Sequence, residues 1–470
     1  MKVVIAIASA VAAFSAAQSV ETNSFGYCTE VSIASIKPAG EMRKWCASQA
    51  ERLAKSCKEL GYPFTVNLWA GEEDVIPPGQ GNPPRGKWRK NWWRQWADTA
   101  CFADGLTRLG VMLDDREILS DVALGIHYTV SNPQQDGFLG PNLNHAENPL
   151  AYGPSRKNEP RNLWPAAAYS RALFAYYAHT HDPEILHAIE DHCKAAARDS
   201  LSGRDLWVVE SMCSLYLATG NAMWRDMATR CWDKRARHKG KRRVSREAPG
   251  EIPAMLYLVT GRENDKREAV GYFERTFCGE GAAVARDACA VADGIWSLGY
   301  ALMATGDAKW GDAIERLYWN EARARAVPET NANACCRGNF CRLTPAYVSR
   351  AWMKRSSDGA PVAALYCDSV FAFESGDAVM RFEERTAAYP RNGRVFIRVQ
   401  TPLSARQPFV FRVPSWTRYP EVLVNGEVQK IDLKPGTFAE IDREWENGDV
   451  IVLDFPKESQ LEAAPPFLLK

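Results

Sequence analysis

Apolar residues recur at three- and four-residue spacing between about residue 95 and residue 355, which predicts a long series of α-helices. Three of these segments end in Thr-Gly, at 219–220, 260–261 and 305–306. Glycine at this point is what a left-handed helix cap requires. We predict helices over 41–61, 99–113, 117–130, 164–180, 183–198, 206–219, 252–260, 290–305 and 310–325.

After about residue 357 the pattern changes to short runs of alternating apolar and polar residues. Asn425-Gly426 and Asn447-Gly448 between such runs are strong tight-turn signals. Short strands without intervening helices predict an antiparallel β-sandwich. The predicted strands are 363–373, 379–384, 394–401, 409–413, 421–424, 437–441 and 450–455.

Recurrent helical hairpins are compatible with an open solenoid or with a closed double ring of helices, and the period alone does not separate them. We favour the closed ring, because it places the inner helix ends around one central pocket. At 470 residues the chain is too long for one compact core. We therefore predict a helical domain over 18–356, beginning with an irregular leader over 18–40, and a β-sandwich domain over 357–470.

The amino terminus has the pattern of a secretory signal over residues 1–17, with Lys2, an apolar run and Ser15-Ala16-Ala17. The run is too short to span a bilayer, and we expect an exported protein without a membrane span. The hydrophobic fraction of 46% and charged fraction of 24% are ordinary for a globular protein. A formal net charge of +1 gives no reason to expect nucleic acid or an acidic membrane as partner.

The adjacent Cys335 and Cys336 are the most specific chemical feature, because neighbouring cysteines are awkward for one disulfide but can both reach one metal ion. Asp287 and Cys289 can supply two further ligands, and three thiolates with one carboxylate in a closed four-ligand set fit Zn²⁺. Cys335 and Cys336 could instead be ordinary buried thiols or partners in separate disulfides. The chain has 13 cysteines, an odd number that does not suggest a small disulfide-stapled scaffold.

The order of these features resembles glycoside hydrolase family 127, the β-L-arabinofuranosidase-type enzymes. The resemblance covers about residues 95–455 and implies a multidomain α and β architecture, an (α/α)6 toroid of helical hairpins followed by an antiparallel β-sandwich. The stretches that support it are Asp136-Gly137-Phe138-Leu139-Gly140-Pro141, Trp164-Pro165, Arg204 and Glu210 before Leu215-Tyr216, Gly306-Asp307 through Asn320, Arg412 to Trp416, Val424-Asn425-Gly426 and Arg443 to Asp449.

The resemblance implies that Asp287, Cys289, Cys335 and Cys336 hold zinc and that Cys335 is also the nucleophile of a retaining glycosidase. A carboxylic acid must then protonate the leaving oxygen and later activate water. For this role we take Glu280, with Glu274 as the reserve. As candidate sugar contacts the resemblance marks Asp136, Trp164, Arg204 and Glu210.

Two departures from the family pattern bear on the substrate. Asp287 stands where the family has glutamate, and Leu206 and Glu251 match positions where arabinofuranosidases of the family carry sugar-contacting histidines. Three functions remain open: an exported retaining glycosidase acting on a glycan such as an L-arabinofuranoside, a catalytically inactive carbohydrate-binding protein with a structural zinc, and a structural zinc protein that engages another protein.

Overall fold

The computed structural model of the protein describes residues 24–60, 93–139, 163–199, 201, 203–235, 250–278, 288–323, 334–375, 378–386 and 389–457. Side chains are described for these residues except 52–60, 93–98, 164, 203–204 and 334–337. The predicted signal segment, 1–17, lies outside the described residues.

The described helices alternate between an inner and an outer position along the chain, as expected of helical hairpins. They are α1 (Gly40–Leu60), α2 (Trp93–Leu113), α3 (Arg116–Ser131), α4 (Trp164–Thr180), α5 (Pro183–Ala196), α6 (Val208–Thr219), α7 (Ala222–Lys234), α8 (Glu251–Thr260), α9 (Glu263–Phe273), α10 (Ala288–Thr305), α11 (Lys309–Arg316) and α12 (Ala334–Val348). Short π-helical turns follow α9 at Glu274–Cys278 and α11 at Leu317–Ala322.

The even-numbered helices form a closed inner ring, because each packs on the next and α12 packs back on α2. An open solenoid would leave α2 and α12 apart, so the predicted toroid is confirmed. Inner α10 is long and apolar enough to cross a membrane by composition, but 78% of that stretch is buried inside the protein. Outer α7 buries a single stripe, formed by Trp224, Ala228 and Trp232 at four-residue spacing.

The Thr-Gly helix ends adopt the predicted cap. Gly220, Gly261 and Gly306 have φ of 68°, 69° and 64°, in the left-handed region. At the end of α10, the Thr305 hydroxyl donates to the carbonyl of Ala301 at 2.7 Å. The same hydroxyl accepts from the backbone N–H two residues later at 3.1 Å. The threonine therefore satisfies backbone groups that the helix end would leave unpaired.

The strands after residue 351, together with two short strands near the amino terminus, form two sheets. The strands are β1 (Cys28–Glu30), β2 (Ile36–Pro38), β3 (Trp352–Arg355), β4 (Pro361–Ala363), β5 (Ser369–Ser375), β6 (Ala378–Thr386), β7 (Arg394–Gln400), β8 (Ala405–Val413), β9 (Glu421–Val424), β10 (Glu427–Val428), β11 (Thr437–Trp445) and β12 (Val450–Asp454). One sheet has the order β1-β3-β4-β8-β11 and the other β10-β9-β12-β7-β6-β5-β2. Neighbours are antiparallel except for β4 and β8.

Aromatic side chains fill the space between the two sheets. Trp352 of the five-stranded sheet stacks on Phe371 and Phe382 of the seven-stranded sheet, with ring centroids 5.2 and 5.7 Å apart. Phe409 continues the stack at 5.3 Å from Phe382. The alternating burial along each strand thus provides one apolar layer, as in other sandwiches.

The irregular leader predicted over 18–40 is wrong in its described part. Residues 28–30 and 36–38 are strands, and they pair with β3 and β5, which lie more than 300 residues further along the chain. Strands of three residues are too short to show a period, so the sequence gives no local signal for them. Placement of residues 28–38 in the helical domain is corrected accordingly, while the boundary at 356/357 stays a prediction.

A buried ion cluster joins the helical ring to the sandwich. Arg412 of β8 contacts Asp312 of α11, and its Nη2 lies 2.5 Å from a carboxylate oxygen of Glu315. Its Nε donates to the carbonyl of Ala364 at 2.7 Å, and the Tyr389 hydroxyl donates to Glu315 at 2.7 Å. The two halves are therefore held by hydrogen-bonded charges away from water.

Candidate active site

The predicted metal ligands fall at the amino-terminal ends of two neighbouring inner helices. Cys289 lies in the first turn of α10, and positions 335 and 336 lie in the first turn of α12. The side chains of Cys335 and Cys336, and the whole of Asp287 and Glu280, lie outside the described residues. Of the predicted zinc set, only the Cys289 side chain can be examined.

A hydrogen bond joins the beginnings of α10 and α12. Asn339 Nδ2 donates to the Cys289 Sγ at 3.4 Å. The Asn339 Oδ1 accepts from Arg342 Nη1 at 2.6 Å, which fixes the amide so that its nitrogen faces the sulfur. Position 339 is one helical turn after 335, so the helix start that carries the two cysteines lies against Cys289.

The described part of this arrangement is compatible with a thiolate ligand at Cys289. Among the residues whose side chains are described, no group of three or more His, Cys, Asp or Glu side chains is placed to hold a metal. The described part shows the half-buried thiol of Cys289 in the first turn of α10, contacted by Asn339 near the beginning of α12. The amino-terminal turns of two helices and an amide N–H therefore meet at the Cys289 sulfur.

Deeper in the ring lies a buried cluster of charges around Arg171 of α4. Its Nε and Nη2 donate to the two carboxylate oxygens of Glu210 at 2.9 and 2.6 Å. Nη2 also contacts Glu251 at 3.0 Å, and Trp296 Nε1 donates to Glu210 at 3.0 Å. Ser297 donates to the other oxygen of Glu251. Every oxygen of the two glutamates therefore has a partner within the protein.

Glu251 is the first residue of α8 and is almost completely buried. Burial away from water raises its pKa to about 7; the Arg171 charge opposes that shift, and the Glu210 charge adds to it. The sequence resemblance predicted Glu251 to lie near a sugar-contacting position, yet both its oxygens face protein groups here. Leu206, the other such position, is buried and apolar.

A second buried cluster connects α2, α10 and α12. Asp104 accepts from Arg108 at 2.7 Å and from Arg342 at 3.1 Å. Burial alone would raise the pKa of Asp104, but the two guanidinium groups bring it below its usual range. Arg342 Nη1 also donates to Asp293 Oδ1 at 2.8 Å, and Arg171 Nη1 lies 3.9 Å from the same oxygen. The two clusters thus meet at Asp293.

The other predicted sugar contacts have different surroundings. Asp136 is half-buried in the turn after α3, and its Oδ1 accepts from the backbone of Phe138 at 3.3 Å, which is a turn-forming role. Trp164 begins α4 and Arg204 lies in a 3-10 turn before α6, with both side chains outside the described set. Glu210 is buried as described above. Their sugar contacts stay predictions.

Glu274, the reserve for the general acid, is exposed in the turn after α9. Its carboxylate contacts Lys309 Nζ at 3.2 Å. The inner carboxylates that sequence reasoning missed are Asp104 and Asp293, together with the partners Asn339 and Arg342. A usable signal existed, because Asp293 is four residues after Cys289, and positions 339 and 342 follow Cys335 by four and seven.

Comparison with known proteins agrees with this architecture. The profile of the GH127 middle domain of β-L-arabinofuranosidases matches residues 362–457, which lie in the sandwich half. A GH127 β-L-arabinofuranosidase from Geobacillus stearothermophilus T6 superposes with a TM-score of 0.65 at 18% identity, covering 90% of this chain and 81% of that one. Comparison with curated proteins gives no sequence match.

Two further solved structures give the same result. A GH127 β-arabinofuranosidase has a TM-score of 0.67 at 17% identity, covering 93% of this chain and 83% of that chain. A structure described as a glycoside hydrolase has a TM-score of 0.64 at 15% identity, with 92% and 80% covered. At these identities the likeness shows a common fold. The resemblance found in the sequence and the predicted fold class are confirmed.

Proposed function

We propose that this chain, which resembles glycoside hydrolase family 127 in its fold and in its sandwich sequence, is a retaining glycoside hydrolase. Its substrate class is a glycan, and an L-arabinofuranoside is the first substrate to test. The observation that supports the proposal is the contact of Asn339 with Cys289, because it joins the beginnings of α10 and α12, on which the predicted thiolate ligands lie, inside an (α/α)6 ring. We also propose export, on the basis of the signal-like residues 1–17.

In the proposed reaction the Cys335 thiolate attacks the anomeric carbon, and the bond from that carbon to the leaving oxygen breaks. Glu280 gives its proton to the leaving oxygen. Water then attacks the same carbon, returns its proton to Glu280, and displaces the thiolate, which regenerates both groups. Zn²⁺ bound by Asp287, Cys289, Cys335 and Cys336 would keep the thiols deprotonated near neutral pH.

The contacts of the described residues support the proposed role of Cys289 as a metal ligand. They do not bear on the proposed attack at the anomeric carbon. Asn339 donates to the Cys289 sulfur, and a hydrogen bond to a ligand atom orients that ligand. Arg342 holds Asn339, and Asp104 holds Arg342 at 3.1 Å. This chain of contacts fixes the Cys289 side of the site from within the ring.

The test combines metal content with turnover of a panel of chromogenic glycosides that includes a β-L-arabinofuranoside. We expect the purified protein to hold about one zinc per chain, as a single four-ligand site requires. Cys289→Ser should lose zinc and turnover together, and Cys335→Ser should lose turnover. Cys278→Ser is the matched control, because Cys278 is exposed and outside the ligand set.

Wild-type protein without zinc would overturn the metal proposal, and a Cys335→Ser variant that still turns over substrate would overturn the assignment of Cys335 as the nucleophile.

The second candidate function is a catalytically inactive carbohydrate-binding protein with a structural zinc. It is favoured by Glu251, whose oxygens face Arg171 and Ser297 at a position where the family has a sugar-contacting histidine. Zinc and sugar binding without turnover on any glycoside would select it.

A further inference from the structure

Asp293 differs from the other three carboxylates of the buried clusters. Asp104, Glu210 and Glu251 are buried, and the protein supplies partners for both oxygens of each. The Asp293 side chain is 36% exposed, and its Arg342 and Arg171 contacts are both made by Oδ1. Within the described part of the protein, Oδ2 has no hydrogen-bond partner.

The position of Asp293 relates it to the proposed site. It lies four residues after Cys289 on α10, so the two side chains share one face of the helix, with Cβ atoms about 5–6 Å apart. That face is directed toward α12, since Cys289 contacts Asn339 and Asp293 contacts Arg342. The Asp293 side chain is therefore partly exposed one helical turn from the proposed metal ligand, with Oδ1 bound by arginine and Oδ2 without a partner among the described residues.

We propose that Asp293 is a sugar-binding residue of the glycosidase, whose Oδ2 accepts a hydrogen bond from a ring hydroxyl of the sugar bound beside Cys289. This inference rests on the proposed function and names its specificity. Arg342 and Arg171 fix the carboxylate in place, so little side-chain freedom is lost on binding. A site built to accept from a hydroxyl discriminates against a sugar that lacks it.

The charges of the clusters define the sugar class. The carboxylates are Asp104, Glu210, Glu251 and Asp293, and the guanidinium groups are those of Arg108, Arg171 and Arg342. Among the described residues of these clusters four acids stand against three bases, so no guanidinium described there is left unpaired to receive an anionic sugar. A uronate carboxylate would instead meet the Asp293 carboxylate, so the sugar is neutral.

The experiment measures equilibrium binding of L-arabinose, the neutral monosaccharide that the proposed reaction on an L-arabinofuranoside releases. Its deoxy and deoxyfluoro analogues are measured in the same way, one ring position at a time. At one position the wild type should lose about 10- to 100-fold in affinity for the deoxy sugar, the size of one hydrogen bond to a charged group. The deoxyfluoro sugar should lose as much, because fluorine cannot donate to Asp293. In Asp293→Asn an amide N–H replaces Oδ2 and can only donate to the sugar hydroxyl, so the loss for the deoxy sugar should fall to about 10-fold or less, the size of a neutral hydrogen bond.

Asp121→Asn on the outer helix α3 is the control for the substitution and should keep the wild-type discrimination. Zinc content and melting temperature of both variants separate loss of binding from loss of folding. The inference would be overturned if folded Asp293→Asn distinguished the parent sugar from the deoxy sugar as strongly as wild type does. It would also be overturned if wild type bound every deoxyfluoro analogue as well as the parent sugar, or bound a uronate more tightly than the neutral sugar. If the wild type binds no sugar and hydrolyses none, the proposed function itself fails.

Discussion

Glu251→Gln tests the energetic cost of the buried carboxylate at the start of α8. A glutamine side chain can accept from Arg171 through its oxygen and donate to Ser297 through its nitrogen, so both contacts of Glu251 can be kept. The substitution therefore removes the titration of this group and little else. Because the site is buried and the shapes match, we expect the variant to fold.

The magnitude follows from the pKa of Glu251, which burial raises from 4.5 to about 7. Below pH 4.5 both folded and unfolded chains carry the proton. Between pH 4.5 and about 7 the unfolded chain loses it while the folded chain keeps it, so stability falls as pH rises. The shift corresponds to a loss on the order of 3 kcal/mol by pH 7, which Glu251→Gln does not undergo.

The assay is equilibrium urea unfolding, followed by tryptophan fluorescence, at a series of pH values from below 4.5 to above 7. The free energy of unfolding of Glu251→Gln minus that of wild type should increase across this window and then level off. Glu427→Gln, on the exposed strand β10, controls for the chemistry of the substitution. A difference that stays constant with pH would refute the reasoning, because it would mean that Glu251 titrates alike in both states.

Two further substitutions test the packing between the halves of the molecule. Arg412→Met should lower the free energy of unfolding by about 3–5 kcal/mol, since it leaves the buried carboxylates of Asp312 and Glu315 without their cation. A loss below about 1 kcal/mol, the size found for an exposed ion pair, would contradict this prediction. Gly26→Ala should lower the melting temperature, because the added Cβ would lie 2.2 Å from Leu258 Cδ2. Gly271→Ala, inside α9 and facing only the end of an arginine, should raise it slightly. Equal changes in melting temperature for the two alanine variants would show that small shifts of neighbouring atoms accommodate the added Cβ at Gly26, which would contradict the prediction.

The sequence alone determined the local elements and their order. Helical periodicity, the Thr-Gly ends at Gly220, Gly261 and Gly306, and the Asn-Gly turns all depend on neighbours within a few residues, so they are visible in a linear chain. The resemblance to a known family then agreed with the closed ring and the sandwich that these patterns favour. The pair Cys335-Cys336, together with Cys289, marked the candidate metal site before any packing was known.

Only the tertiary structure decided which charges are buried and what they face. Glu210 was predicted to contact sugar, yet Arg171 and Trp296 occupy its oxygens, and these partners are 39 and 86 residues away in the chain. Residues 28–38 looked irregular because their strand partners lie more than 300 residues away. The sequence placed Asp293 one helical turn after Cys289 but could not show that it is the exposed member of its cluster, since exposure and hydrogen-bond satisfaction arise when helices distant in sequence pack together.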